Sequence, residues 1–163
     1  MEITTDIILR GDAWDKAFED LKNIFATRTN YTMYMLALSI GIMYDKRIDK
    51  FEDQGIDSHS VPRNVLQNND NGKLDIMFQA AILSTTTEDF SEEERLEYAF
   101  GNDNTFNKIG FLTQFANFGV TKLIEQIGET EIETMENIKN YFCSTVEGMN
   151  FDIDELSDEY VFA

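Results

Sequence analysis

Apolar residues recur at helical spacing along most of the chain and predict six or seven helices joined by short connections. The segment from Ala13 to Ala26 is amphipathic, with four large apolar residues on one stripe, and Asp12 is expected to cap it. The segment from Tyr31 to Tyr44 is apolar almost all round, which predicts a buried central helix capped by Asn30. It is too short to span a bilayer, which takes about 20 residues.

Capping and turn signals predict where the other helices begin and end. Two capping boxes, "SEEE" and "TEIE", each place a glutamate three residues after a hydroxyl side chain. The turn signal "NNDNG" precedes another apolar helical segment. In chain order we predict a short helix beginning at Pro62, a helix over Lys73–Leu83, one from Ser91 that stops at Gly101, a long helix opened by Asn104 or Thr105, and one from Thr130 to about Val146.

The two ends of the chain carry weaker patterns. Residues 1–11 alternate weakly and predict a short strand or an extended arm. Residues 147–163 form an acidic C-terminal segment that is expected to dock through spaced apolar residues, an acidic tail being the alternative. The apolar residues are Phe151, Ile153, Leu156, Tyr160 and Val161. The chain as a whole is predicted to be a single helical domain of 163 residues, compact and all-α.

Two glycines interrupt the long apolar helix, although each weakens a helix by about 1 kcal/mol relative to alanine. These are Gly110 and Gly119, and the pair Ala37 and Gly41 repeats the small-residue spacing in the central helix. We predict that the two helices cross at these small residues, so that their backbones approach closely. The alternative is that Gly119 leaves room for a ligand.

The charge balance is strongly acidic, with 31 acidic against 13 basic residues and a net charge of −18. Such a surface repels phosphate, so direct binding of duplex DNA is not expected. It favours a basic protein partner or imitation of nucleic acid, unless the acidity only keeps the protein soluble. The single cysteine, Cys143, excludes an internal disulfide and is predicted to be a small core residue. With no export signal or membrane segment, we expect a cytoplasmic protein and no membrane partner.

Recognisable catalytic, metal and cofactor motifs are missing from the sequence. The only histidine, His59, lacks the spacing of a di-iron or zinc site, and neither glycine-rich nucleotide motif occurs. A hydrolase that uses His59 as its base is a residual hypothesis, because no nucleophile elbow accompanies it. We therefore predict that the protein is not an enzyme and needs no cofactor or metal.

Acidic residues cluster where a basic partner could dock. The stretch "TEDFSEEERLE" has six acids against Arg95, and half of the net charge lies from Gly110 onward. Ordinary solvated helix faces are the alternative. The predicted partner-binding residues are Glu92, Glu93, Glu97, Glu129, Glu133, Asp152, Asp154 and Glu155.

Three apolar stretches, "YTMYMLALSIGIMYDKRI", "SVPRNVLQ…KLDIMFQAAIL" and "FLTQFANFGVTKL", resemble a family of small accessory proteins. That family is associated with bacterial dnd DNA-phosphorothioation and related phage-defence gene clusters. The resemblance covers about residues 30–128, and the chain departs from the family's late Tyr and paired glycines by having "QFANFGV". The matching residues are Ala37, Gly41, Lys46, Arg47, Phe115, Ala116 and Gly119.

The resemblance implies an accessory role without assigning a catalytic residue. We expect a non-enzymatic subunit that binds a larger partner, a nuclease or an ATPase of a bacterial anti-phage or DNA-modification system. The alternative is an acidic inhibitor, encoded by a phage or plasmid, that mimics DNA and blocks a DNA-binding enzyme.

Overall fold

The computed structural model describes residues 1, 3–25, 30–53, 55, 57–102 and 105–148. Residues 145–148 are described by their backbone alone. Within these residues the chain forms seven helices and one short two-stranded sheet, which confirms the predicted all-α class. The elements are β1 (Ile7–Leu9), α1 (Asp12–Asp20), α2 (Asn30–Met43), β2 (His59–Val61), α3 (Arg63–Asn69), α4 (Lys73–Ser84), α5 (Glu92–Phe100), α6 (Lys108–Ile124) and α7 (Glu131–Gly148).

The chain divides into two compact units, residues 1–125 and a second unit that begins at Gln126 and contains α7. The core of the first unit lies between α2 and α6, which carry more of its large buried side chains than any other pair of helices. The interpretation of the whole chain as one domain stays a prediction. The proposed docking of residues 147–163 lies outside the described residues, apart from the backbone at the end of α7.

The helices α2 and α6 cross at their small residues, as predicted. A Cβ placed on Gly119 would overlap the carbonyl oxygen of Ala37 and lie 2.6 Å from its carbonyl carbon. A Cβ on Gly41 would likewise overlap the carbonyl oxygen of Phe115 and lie 2.9 Å from its Cα. The prediction was wrong for Gly110, where the atoms nearest to an added Cβ belong to the side chain of Asn107 at the start of α6 and not to a neighbouring backbone.

The sheet joins two distant parts of the chain. Strand β1 confirms the weak alternation near the N-terminus, and it pairs antiparallel with β2, with Ile7 opposite Val61 and Leu9 opposite His59. No sequence pattern predicts β2, which falls at the end of a stretch that is polar and irregular. A three-residue strand has too few positions for a period of two to stand out, so only its partner reveals it.

The predicted helix starts need four corrections, of which one is that Pro62 is the N-cap of α3 and not its first residue. Asp12 is the first residue of α1 rather than its cap, because Gly11 occupies the cap position with φ 117°, a conformation that favours glycine. Asn30 lies within α2, and its Nδ2 donates to the carbonyl oxygen of Ser60 (2.7 Å). Helix α6 is capped by Asn107, not by Asn104 or Thr105, since the Asn107 side chain accepts a hydrogen bond from the Gly110 N–H.

Two further predictions concern α7. The box at Thr130 is half confirmed, because Thr130 Oγ1 accepts from the Glu133 N–H (3.1 Å). The Glu133 carboxylate, however, accepts from the N–H of Glu129 rather than from that of Thr130 (2.8 Å). Cys143 is exposed, so its prediction as a core residue was wrong. Helical spacing placed it among apolar neighbours but could not show which face of α7 is covered.

A polar cluster ties the end of α2 to the end of α4. Asp45, with φ 47°, accepts hydrogen bonds from the hydroxyl of Thr85 (2.6 Å) and from the N–H and hydroxyl of Thr86 (2.7 Å each). Burial on its own would raise the pKa of Asp45. The hydrogen bonds from the two threonines and the charge of Arg47 outweigh burial and hold that pKa below its usual value.

Asp45→Asn should therefore destabilise the protein in a pH-dependent way. A carboxylate with a lowered pKa stabilises the fold above its unfolded-state pKa, near 4, and loses that contribution as pH falls through the folded value. We expect the variant to be less stable than the wild type at pH 7 and the gap to close at lower pH. Urea unfolding at pH 7 and pH 3 measures this, and an equal gap at both values would contradict it. Asparagine tolerates the left-handed conformation, so backbone strain should not confuse the result.

Candidate protein-interaction surface

Helices α4 and α5 form an antiparallel hairpin in the first unit. The Gln79 side chain donates to the carbonyl oxygen of Ala99 (3.3 Å), and Arg95 donates to the carbonyl oxygen of Ile82 (2.8 Å). Residues early in α5 thus lie beside residues late in α4. These bonds hold the two helices side by side and fix which faces they turn outward.

The start of α5 is set by its capping box, which the structure confirms. Ser91 Oγ accepts from the Glu94 N–H (3.2 Å), and the Glu94 carboxylate accepts from the Ser91 N–H (2.8 Å). Hydrogen bonds from the backbone N–H and the side chain of Ser91 to the Glu94 carboxylate lower the pKa of Glu94. Gly101 ends the helix, as predicted, with its N–H donated to Glu97. The two ends of α5 are therefore encoded locally.

Aromatic contacts show which side of the hairpin faces the core. The rings of Phe78 in α4 and Tyr98 in α5 both contact Phe106, with centroids 5.7 and 4.5 Å away. Because one residue contacts both helices, these two side chains lie on the same, inward side of the hairpin. Helical geometry then places residues on the opposite sides of α4 and α5 together on the outer side.

The outer side carries four large apolar side chains, which we name the hairpin face. Ile76 and Leu83 are seven residues apart on α4, and Leu96 and Phe100 are four apart on α5, so each pair shares one helix face. They are well exposed, at 64 % for Ile76, 41 % for Leu83, 46 % for Leu96 and 64 % for Phe100. Scattered exposed apolar residues are ordinary, whereas a group on one face indicates an interaction surface.

Three predicted partner-binding residues lie on the same helix as Leu96 and Phe100. Glu92, Glu93 and Glu97 are all exposed. The only cation of α5 does not balance them at the surface, because Arg95 turns inward. Besides the Ile82 carbonyl, its guanidinium donates to the backbone carbonyl of Glu88 (3.0 Å). The hairpin face therefore has an acidic border along α5.

The other predicted residues belong to the second unit or lie outside the described residues. Glu129 and Glu133 are exposed in the second unit, where the Glu133 carboxylate closes the first turn of α7. Asp152, Asp154 and Glu155 lie outside the described residues. In the second unit, Ile132 and Met135 on α7 are also exposed apolar residues, at 72 % and 55 %.

His59, the residual catalytic candidate, has structural partners. Its Nε2 lies 3.0 Å from Asp15 Oδ1, and its ring stacks on Phe18 with centroids 4.3 Å apart. The Asp15 carboxylate also accepts from the backbone N–H of Asp57 (3.3 Å). This arrangement fastens β2 and the loop before it to α1. No nucleophile is placed against His59 by any described contact.

A cleft with a volume of about 740 Å³ borders Phe100. Its charged lining residues are already engaged: Asp75 lies 3.3 Å from the amino group of Met1, and the Lys108 ammonium lies over the Phe78 ring. No group of three or more potential metal ligands occurs in the described part of the chain. Within that part, no helix is both long and apolar enough to cross a membrane.

Comparison with known proteins yields no assignment: no family model, no curated protein and no solved structure matches this chain. The resemblance to defence-associated accessory proteins therefore stays a prediction. The physical features of the hairpin face are the available guide to function. The sequence indicated the acidic residues of α5 as partner-binding candidates, but it did not indicate the exposed apolar residues of the hairpin face, whose only signal was their helical spacing.

Proposed function

We propose that the protein is a non-enzymatic accessory subunit that binds a larger protein partner in a bacterial anti-phage defence or DNA-modification system. The hairpin face is the observation that carries this proposal, because four exposed apolar side chains share one side of two packed helices. Removal of apolar surface from water is favourable, so a partner that covers these side chains gains binding free energy. The defence setting rests on the resemblance alone.

The residues that carry the resemblance have structural roles in this fold. Ala37, Gly41 and Gly119 lie at the crossing of α2 and α6. Arg47 follows α2, where its guanidinium lies 4.9 Å from the centre of the Phe111 ring and donates to Gln114 (3.0 Å). A motif of this kind, if it is shared with the family, would maintain the packing of the helices and not a binding site. Partner specificity would then reside in surface positions, which fits the hairpin face.

DNA mimicry is the alternative that the charge of −18 motivates. A mimic needs carboxylates spaced like duplex phosphates along an exposed ridge. On α5 the exposed apolar residue Leu96 lies between the exposed glutamates, and the helix ends at the exposed Phe100. A surface that imitates DNA phosphates would not require these apolar residues. These apolar residues favour protein docking over mimicry.

The proposal is tested by co-expressing the protein with the genes that neighbour it and analysing the lysate by size-exclusion chromatography. We expect co-elution with a larger nuclease or ATPase subunit at about equal stoichiometry. The absence of co-elution with every neighbour would reject the proposal. Displacement of the protein from a co-eluting partner by duplex DNA would support mimicry and contradict a scaffolding role.

A further inference from the structure

We infer that the hairpin face binds an amphipathic helix of the partner that presents apolar residues on one side and lysine or arginine beside them. This inference rests on the proposed function and deepens it by naming the docking surface and the chemistry of its ligand.

The shape of the hairpin face suits a helix. Ile76 and Leu83 form one row about two turns long, and Leu96 with Phe100 forms a second row of one turn on the neighbouring helix. Two packed helices present ridges and a shallow groove between them, into which the ridge of a third helix can pack. A peptide that binds as an added β-strand would instead need a free strand edge to pair with, and this face consists of helices.

The negative charge beside the hairpin face favours basic residues in the ligand. Glu92, Glu93 and Glu97 border it on α5, and Arg95 is withdrawn to backbone carbonyls inside the hairpin. Lysine or arginine flanking the apolar residues of a partner helix would meet these carboxylates. Such complementarity both speeds encounter and rejects partners of the wrong sign.

The same charge disfavours other occupants. A second copy of this chain would bring an equal acidic border and a net charge of −18 against the first. The C-terminal residues 149–163 contain acids and no lysine or arginine, so they would also be repelled. Nucleic acid and anionic lipid carry phosphate, which the glutamates oppose. A basic protein helix satisfies both the apolar and the acidic parts of the surface.

The test uses two synthetic helical peptides and the full chain. Both peptides carry leucines at positions i, i+3, i+4 and i+7, and their flanking residues are Lys and Arg in one and Glu in the other. Fluorescence anisotropy at about 0.15 M salt, where distant charges are largely screened, measures binding. We expect the basic peptide to bind at least tenfold more tightly than the acidic one. Equal affinity for the two would overturn the inference.

Site variants separate docking on this face from general attraction to an acidic protein. The double variant Leu96→Ser, Phe100→Ser keeps every charge and should weaken binding of the basic peptide at least tenfold. The matched control, Ile132→Ser with Met135→Ser, removes exposed apolar residues of the second unit and should leave affinity unchanged. Equal affinity of both variants and the wild type would overturn the inference. Circular dichroism verifies that each variant is folded.

The same double variant distinguishes failure of the inference from failure of the proposed function. If a neighbouring gene product co-elutes with the wild type and equally with Leu96→Ser, Phe100→Ser, the accessory role stands and the hairpin face is not its docking site. If no gene product co-elutes with either, the proposed function fails. Loss of co-elution in this variant alone supports both.

Discussion

Gly119→Leu is expected to leave the chain largely unfolded at 25 °C, and Gly119→Ala to lower the free energy of unfolding by about 3 kcal/mol. Even the single Cβ of alanine would overlap the carbonyl oxygen of Ala37, which belongs to the backbone of α2 and cannot rotate away. Alanine is the better helix former by about 1 kcal/mol, so helix propensity alone predicts stabilisation. The sign of the change therefore separates close packing from propensity.

The matched control is Gly110→Ala in the same helix. Its Cβ would meet the side chain of Asn107, with the Cγ atom 2.8 Å away, and that side chain can shift. Weakening of the Asn107 cap and the gain in helix propensity are of similar size, so the change should stay within about 1 kcal/mol. Urea unfolding compares the two alanine variants. If Gly119→Ala is tolerated as well as Gly110→Ala, the helices do not cross as closely as the structure has them.

Signals that act within one helix could be predicted from the sequence. The capping box at Ser91 and the stop at Gly101 depend on neighbours within a few residues, and both were found where predicted. The crossing of α2 and α6 was also predictable, because a glycine in an apolar helix interior has few explanations other than close approach. Only the location of the contact, at Gly119 and not at Gly110, needed the fold.

Features that depend on distant parts of the chain could not be predicted. Strand β2 exists because β1 pairs with it across about fifty residues of sequence. The hairpin face was missed because α4 is apolar on most sides, so its sequence does not say that Phe78 is covered and Ile76 is exposed. The inward turn of Arg95 likewise depends on carbonyl groups outside α5. From the sequence alone, the charge of Arg95 counts toward the surface, because its hydrogen-bond partners are not evident there.

One asparagine of α6 makes a buried hydrogen bond to α1. Asn117 Oδ1 accepts from the Trp14 indole N–H (2.9 Å), and its Nδ2 donates to the Ile48 carbonyl oxygen (3.1 Å). Trp14 is fully buried and Asn117 is 7 % exposed, so water cannot readily replace either bond. The side chain thus connects α1, α6 and the segment that follows α2.

Asn117→Leu is expected to lower the free energy of unfolding by about 3 kcal/mol, because it leaves a buried donor and a buried acceptor without partners while nearly preserving volume. Trp14 is the only tryptophan, so its fluorescence during urea unfolding reports on this contact directly. The matched control is Asn69→Leu, an exposed helical asparagine that bonds only the Val65 carbonyl within its own helix and should change stability by less than about 1 kcal/mol. Equal stability of Asn117→Leu and the wild type, with unchanged emission, would mean that this hydrogen-bond network does not hold α1 against α6.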